Sequence, residues 1–349
     1  MSLTLAINAV PVTPDDIQFV VDAERLGVEA VWVPEVWGYD ALTPIGALAM
    51  RTESILLGTG IVQLGSRSPA MLAQSAMALQ ALSQGRFRLG IGTSGPQVIE
   101  GWHGVRFDRP IQRTRETIEI VRMVSAGERL EYDGEVYQLP LPDSQGRAIR
   151  SMADPVHVPI HVASLGPRNL RLTGEMADGW IGTGFLPEVA DVFLDEISRG
   201  AEAAGRTLAD IELTTAATVE FTDDLEAAGR RHAGGYAFTI GAMGSASTNF
   251  YNESFIRQGF GEQVQEVERL WRSGDREAAA AAVPIEIGIG ANLLGTDDDV
   301  RARLRLHRDA GMNGLRVNPQ GEDHHQRLDC LGRLLDLVAE VNQETGAPS

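Results

Sequence analysis

Eight times along 349 residues, a short apolar run is followed by a helix-forming stretch, and this alternation constrains the fold more than any other feature. Leu3, Leu5 and Ile7 skip by two, as a strand does. Thr13-Pro14-Asp15-Asp16 then predicts a helix start: Thr13 caps, Pro14 suits the first turn, and two acids face the positive end of the helix dipole. Gly27 closes that helix near Leu26. Strands are predicted at 30–33, 55–59, 87–91, 160–163, 180–181, 211–221 and 315–317. Helices are predicted at 69–82, 111–125, 167–176, 188–204 and about 324–341. The strands read as buried on both faces, which points to a parallel sheet covered by helices. A single α/β domain, a (β/α)8 TIM barrel, matches the count best, with an open doubly wound sheet as the structural alternative. Residues 127–159 form a long connection with a hairpin near Asp133-Gly134. Residues 224–312 promise several helices and only doubtful strands, and about 232–290 exceed one connection, reading as a helical insertion after strand seven.

Composition narrows the functions. The charge is 30 basic against 48 acidic residues, or −18, which disfavours nucleic acid and anionic membrane as partners. One cysteine, Cys330, cannot form an internal disulfide or a cysteine-based zinc site. The seven histidines are scattered without ligand spacing, so no metal is expected. With no apolar run of transmembrane length and no signal-peptide pattern, a cytoplasmic location is expected.

In such a barrel the chemistry sits at the carboxyl ends of the strands. After strand two, Pro34-Glu35-Val36-Trp37-Gly38-Tyr39-Asp40 offers either a plain rim loop or a wall for a flat ring with a hydrogen-bonding group. After strand three come Gly58 and Gly60, and after strand four Thr93-Ser94-Gly95, small residues that present backbone amides to a phosphate or a ring edge. After strand five, Ala163-Ser164-Leu165-Gly166-Pro167-Arg168 joins a glycine to a helix start, the arrangement that binds anions. No dinucleotide fingerprint, Walker motif or nucleophile elbow is present. His103, in Gly101-Trp102-His103-Gly104, is either an acid–base group or a loop hydrogen-bonding residue.

Three blocks then carry a resemblance: ERLGVEAVWVPEVWGYDALTP at 24–44, LLGTGIVQLGSRSPAMLAQSAMALQALSQGRFRLGIGTSGPQVIEGWHG at 56–104, and PIHVASLGPRNLRLTGEMADGWIGTGFLPE at 159–188. The chain resembles the luciferase-like monooxygenase superfamily, in its coenzyme F420-dependent oxidoreductase branch common in actinobacteria, with weaker likeness through 241–252. The resemblance implies the bacterial luciferase-like barrel, a small organic substrate, coenzyme F420 at the strand ends and a homodimer. It implies a non-prolyl cis peptide at Gly60–Ile61 behind the ring, cofactor contacts at Thr93, Ser94 and Gly95, and a phosphate site over Ala163, Ser164, Leu165, Gly166, Pro167 and Arg168. Relatives place an Asp-His pair after strand two; here Glu35 and Val36 stand there, leaving Glu35, Tyr39 and His103 as candidate proton donors. The cofactor tail is expected to run past Arg67 or Arg168. The rival readings are an FMN-dependent monooxygenase and a non-catalytic cofactor-binding barrel.

Overall fold

The computed structural model describes residues 2–243 and 249–344. Eight parallel strands form its centre: β1 (Thr4–Asn8), β2 (Ala30–Val33), β3 (Leu56–Thr59), β4 (Phe87–Gly92), β5 (Ile160–Ala163), β6 (Gly179–Gly182), β7 (Glu212–Phe221) and β8 (Gly314–Pro319). Each pairs with the next, and β8 pairs with β1, so the sheet closes into a barrel and the open alternative is excluded. Val62–Gln63 continues β3 past a bend and pairs with β4, and Leu293–Gly295 adds to the end of β7. The hairpin near Asp133-Gly134 is present, pairing Tyr132–Asp133 with Gln138–Leu139.

The helix starts follow their local chemistry. Thr13 and Asp16 form a reciprocal cap, Pro14 opens the helix Pro14–Leu26, and Gly27 ends it in the left-handed region at φ 107°. Ser68 caps Pro69–Leu82 by accepting the Met71 amide. Two helices stand where none was predicted, Leu42–Ala49 and Pro96–Gly101. The first, LTPIGALA, has Thr43 as its one polar side chain and carries Pro44 and Gly46, so its sequence offers no polar face. Between β7 and β8 the described helices are Leu225–Ala242, Phe250–Phe255, Gly261–Ser273, Arg276–Ala282, Ile285–Gly290 and Asp297–Asp309. The first of these begins before the expected insertion boundary at 232. They bury a second small core around Ala237, Ile240, Phe255, Val264 and Ile287.

The main core lies between the barrel and its helices, on the outward faces of the strands, with Leu5, Ile7, Val31, Leu57, Ile91, Val162, Leu315 and Val317 all buried. The barrel interior is built differently. Trp32 fills it beside His161, ring centroids 5.2 Å apart, with Ala6 and Ile181 packed alongside. Glycines on neighbouring strands make this possible. A Cβ on Gly58 would lie 2.4 Å from Trp32 Cε3, and one on Gly179 would lie 2.2 Å from His161 Nδ1. The large rings therefore sit where strand glycines leave space, and they floor the carboxyl end of the barrel.

Candidate functional site

The bend after β3 follows from what surrounds it. Gly60 donates its amide to the Val33 carbonyl at 2.8 Å, and its next peptide, Gly60–Ile61, is cis as expected. A Cβ on Gly60 would meet Trp32 Cβ at 3.2 Å, so a side chain fits poorly there. Beside it, Thr59 Oγ1 donates to the Gly90 carbonyl at 2.7 Å, tying β3 to β4 below the bend.

The loop after β2 is organised by Glu35. This carboxylate is 7% exposed, and its two oxygens accept from the two terminal nitrogens of Arg67, each at 2.8 Å. It also accepts from the Ala41 amide at 3.2 Å. The fork-to-fork pair holds the Arg67 guanidinium above its ordinary pKa, chiefly through the Glu35 hydrogen bonds. Two expectations are corrected here. Glu35 is a clamp joining two loops, with both oxygens engaged, and is not placed as a proton donor. Arg67 is engaged by Glu35, so its charge is already answered within the chain. Tyr39 is 66% exposed and Trp37 51% exposed, on the outer rim of the same loop.

His103 is half-buried and bonded within the site's own framework. Its Nε2 lies 2.9 Å from Gln63 Oε1, and Gln63 Nε2 donates to the Glu35 carbonyl at 3.1 Å. A carbonyl only accepts, so this fixes the orientation of the Gln63 amide and makes His103 Nε2 the donor. The loops after β2, β3 and β4 are thus linked through Glu35, Gln63 and His103. Thr93, Ser94 and Gly95 are half-buried, and Ser94 turns the chain through the left-handed region at φ 55° into Pro96–Gly101.

At the end of β5 the chain enters Pro167–Met176 through Gly166, and no side chain caps that helix. A Cβ on Gly166 would meet nothing closer than Phe250 Cδ1 at 3.9 Å, so the approach to this turn is open. Ser164 is a further correction. Thr173 Oγ1 gives its proton to the Asn169 carbonyl, so Ser164 Oγ is the donor to Thr173 Oγ1 at 2.8 Å. The Ser164 hydroxyl is committed inward; only main-chain groups of the turn and lone pairs of that hydroxyl remain. Arg168 is exposed with no ion-pair partner among the described residues. Arg257, from the segment between β7 and β8, donates to the Leu165 carbonyl and steadies the turn from outside. Beside it opens a cavity of about 210 Å³ walled by Leu165, Thr183, Gly184, Tyr236 and Phe255. A larger space of about 480 Å³, lined by Glu220, Arg231, Gln320 and Arg333, lies off the barrel axis against the last helix, away from these converging groups.

Sequence reading missed Arg316, on β8. It is 4% exposed, its Nη2 donates to the Gly182 carbonyl at 2.5 Å, and its Nη1 reaches Asn8 Oδ1 at 3.4 Å. The signal was one cation at an inward position of an apolar strand, Leu315-Arg316-Val317. Among the described residues no cluster of three or more His, Cys, Asp or Glu is arranged to hold a metal, and no helix is long and apolar enough to cross a membrane.

Comparison with known proteins places the chain in a family. The profile of the luciferase-like monooxygenase family matches residues 9–314. Rv3520c of Mycobacterium tuberculosis, provisionally named a coenzyme F420-dependent oxidoreductase, is 37% identical over 90% of this chain and 93% of its own. The coenzyme F420-dependent tetrahydromethanopterin reductase of Methanopyrus kandleri superposes with a TM-score of 0.76 at 22% identity, covering 95% of this chain and 98% of its own. The oxygenating constituent of 3,6-diketocamphane monooxygenase from Pseudomonas putida, in complex with FMN, superposes with a TM-score of 0.68 at 19% identity, covering 97% of this chain and 98% of its own.

Proposed function

Because the chain belongs to the luciferase-like monooxygenase family, we propose that it is a coenzyme F420-dependent oxidoreductase acting on a small organic substrate. The observation that carries the cofactor choice is the similarity to Rv3520c over nearly the full length of both chains. The residues present fit such a group. The half-buried bend at Gly60 and Ile61, beside Trp32, would back a flat ring, and Thr93, Ser94 and Gly95 would offer main-chain groups to its edge. The uncapped helix start at Ala163, Ser164, Leu165, Gly166, Pro167 and Arg168 suits a phosphate, through backbone amides and the helix dipole. Arg168 is the free cation nearest in sequence to that turn.

The cofactor supplies hydride transfer at its C5, and the chain supplies orientation, water exclusion and proton handling. Of the three proton-donor candidates, His103 is half-buried and has one ring nitrogen, Nδ1, that Gln63 does not engage. Glu35 holds its loop in position through Arg67, and Tyr39 stands on the outer rim. Glu35, Gln63 and His103 couple that rim to the bend. The chain acts as one domain with the segment near 232–290 as an insertion, as a homodimer in the cytoplasm, without nucleic acid or membrane partners.

Fluorescence-quenching titration of the purified protein with coenzyme F420 and with FMN tests this reading. The expected result is at least tenfold tighter binding of F420, about 1.4 kcal/mol. Tenfold tighter binding of FMN would transfer the assignment to a flavin monooxygenase, and binding of F420 with no turnover of any acceptor would leave a non-catalytic cofactor carrier.

A further inference from the structure

Alternation along β8 turns Leu315 and Val317 outward into the main core and leaves Arg316 in the barrel interior, opposite Ala6 on β1 and Ala216 on β7. Its guanidinium is aimed at the carboxyl end. It reaches Gly182 at the end of β6 and Asn8 at the end of β1, and it would stand 3.8 Å from a Cβ on Gly60. Its carbon lies 6.0 Å from the centroid of the Trp32 ring. The Nε proton has no acceptor, and no carboxylate among the described residues comes within 4.0 Å of the guanidinium.

A buried cation without a counter-ion is costly, and a group left in that state calls for a reason. Burial alone pushes its pKa down to about 10, so it is still charged at neutral pH. The groups facing it from the surrounding strands are Asn8, Trp32, Gly60, Gly182 and, on β5, His161. Of these only His161 titrates, and burial holds it neutral down to about pH 3. Glu212, 3.7 Å from His161, and Arg88 belong to the layer beneath.

We propose that Arg316 is the counter-cation of the ring that binds over the Gly60–Ile61 bend, selecting that ring in its ionised form. The inference rests on the cofactor reading above. Rings of this class carry an ionisable proton conjugated to carbonyl groups, and the charge left by its loss is delocalised over the ring. A cation fixed beneath the ring, in a site sheltered from water, stabilises that charge strongly. Arg316 touches no reacting atom by this account. It sets which protonation state of the cofactor the site accepts.

The test is a pH titration of the visible absorbance of oxidised coenzyme F420, free and bound to the wild-type protein, to Arg316→Met and to Arg316→Lys. The ionisation midpoint of the bound ring should lie below that of the free cofactor in wild type. It should rise by at least one pH unit in Arg316→Met and stay near wild type in Arg316→Lys. By linkage, Arg316→Met should bind at least tenfold more weakly above the midpoint and equally below it. A wild-type midpoint at or above that of the free cofactor overturns the proposal without recourse to any variant. So does an unchanged midpoint in a folded Arg316→Met. Tight binding with no midpoint shift rejects the role of Arg316 alone. Failure of wild type to bind F420 rejects the cofactor reading and this proposal together.

Discussion

An arginine stands at each end of the barrel, Arg86 among the loops outside it and Arg316 inside, and the two are treated in opposite ways. At the amino end, Arg86 makes five hydrogen bonds: to the carbonyls of Ser83, Ile55, Ala49 and Thr52, and to the Thr52 hydroxyl, at 2.8 to 3.1 Å. Every N–H of its fork has an acceptor, and the loops it joins are closed around it. At the carboxyl end, Arg316 is more deeply buried, yet makes two such bonds and leaves Nε unpaired. The first arginine belongs to the architecture, since its partners are all provided by the chain. The second is half-provided for: no carboxylate among the described residues answers it, and its Nη1 stands 3.8 Å from where a Cβ on Gly60 would lie, at the bend after β3. A buried cation with no such carboxylate against it, beside the bend, is the group of the fold with most to gain from an anionic ligand.

The sharpest way to break this comparison is to remove each guanidinium in turn. Arg86→Met should cost roughly 3–5 kcal/mol of unfolding free energy, because it strands several half-buried carbonyls at once. Arg316→Met should stay within about 1 kcal/mol of wild type or gain stability, because it removes a charge that the unliganded fold does not offset. Urea unfolding of both variants decides, and equal losses would dissolve the distinction.

Acid unfolding sharpens the same contrast from beneath the site. Burial holds His161 down at about 3 and His307 at about 4, so both stay neutral in the fold while the unfolded chain takes up protons below about 6.5. Stability is therefore lost as pH falls from 6.5 toward those values, at about 1.4 kcal/mol per pH unit for each histidine. Between pH 6.5 and 5 the slope should be about halved in His161→Gln. An unaltered slope would mean that the Trp32–His161 layer is wetter than its packing indicates.

A smaller effect is expected at the open helix start. Gly166 has φ −76°, a conformation any residue adopts, and its missing side chain faces space. Gly166→Leu should leave unfolding within about 0.5 kcal/mol of wild type. It should weaken F420 binding about tenfold, roughly 1.4 kcal/mol, by obstructing approach to the turn. A tight-binding Gly166→Leu protein would move the phosphate elsewhere.

Much of this architecture was legible beforehand, and the exceptions share a cause. The barrel strands declared themselves because burial on both faces produces apolar runs such as Ala30–Val33 and Ile160–Ala163. The helix Leu42–Ala49 did not, because its exposed side carries Thr43 and Ala47, so the sequence is apolar nearly all round and offers no polar face to read. The strand-end segments at Gly60, Ser94 and Gly166 could be named from local chemistry. What Glu35 and Ser164 do with their polar atoms could not. Glu35 is answered by Arg67, 32 positions away, and Ser164 by Thr173, nine positions on in the following helix. Arg316 was overlooked because reading only strand ends passes over a charged residue within a three-residue apolar strand. Its inward position follows from alternation, but its lack of a partner emerges only when eight strands close around it.

The most direct measurement is a crystal structure of the protein with oxidised coenzyme F420 bound. The account predicts the ring seated over the Gly60–Ile61 bend, the phosphate against residues 164–168, and Arg316 within ion-pairing distance, about 4 Å, of a ring oxygen or nitrogen. A ring bound outside the barrel mouth, for instance between Glu220 and Arg333, or one seated at the bend with Arg316 turned from it, would contradict it.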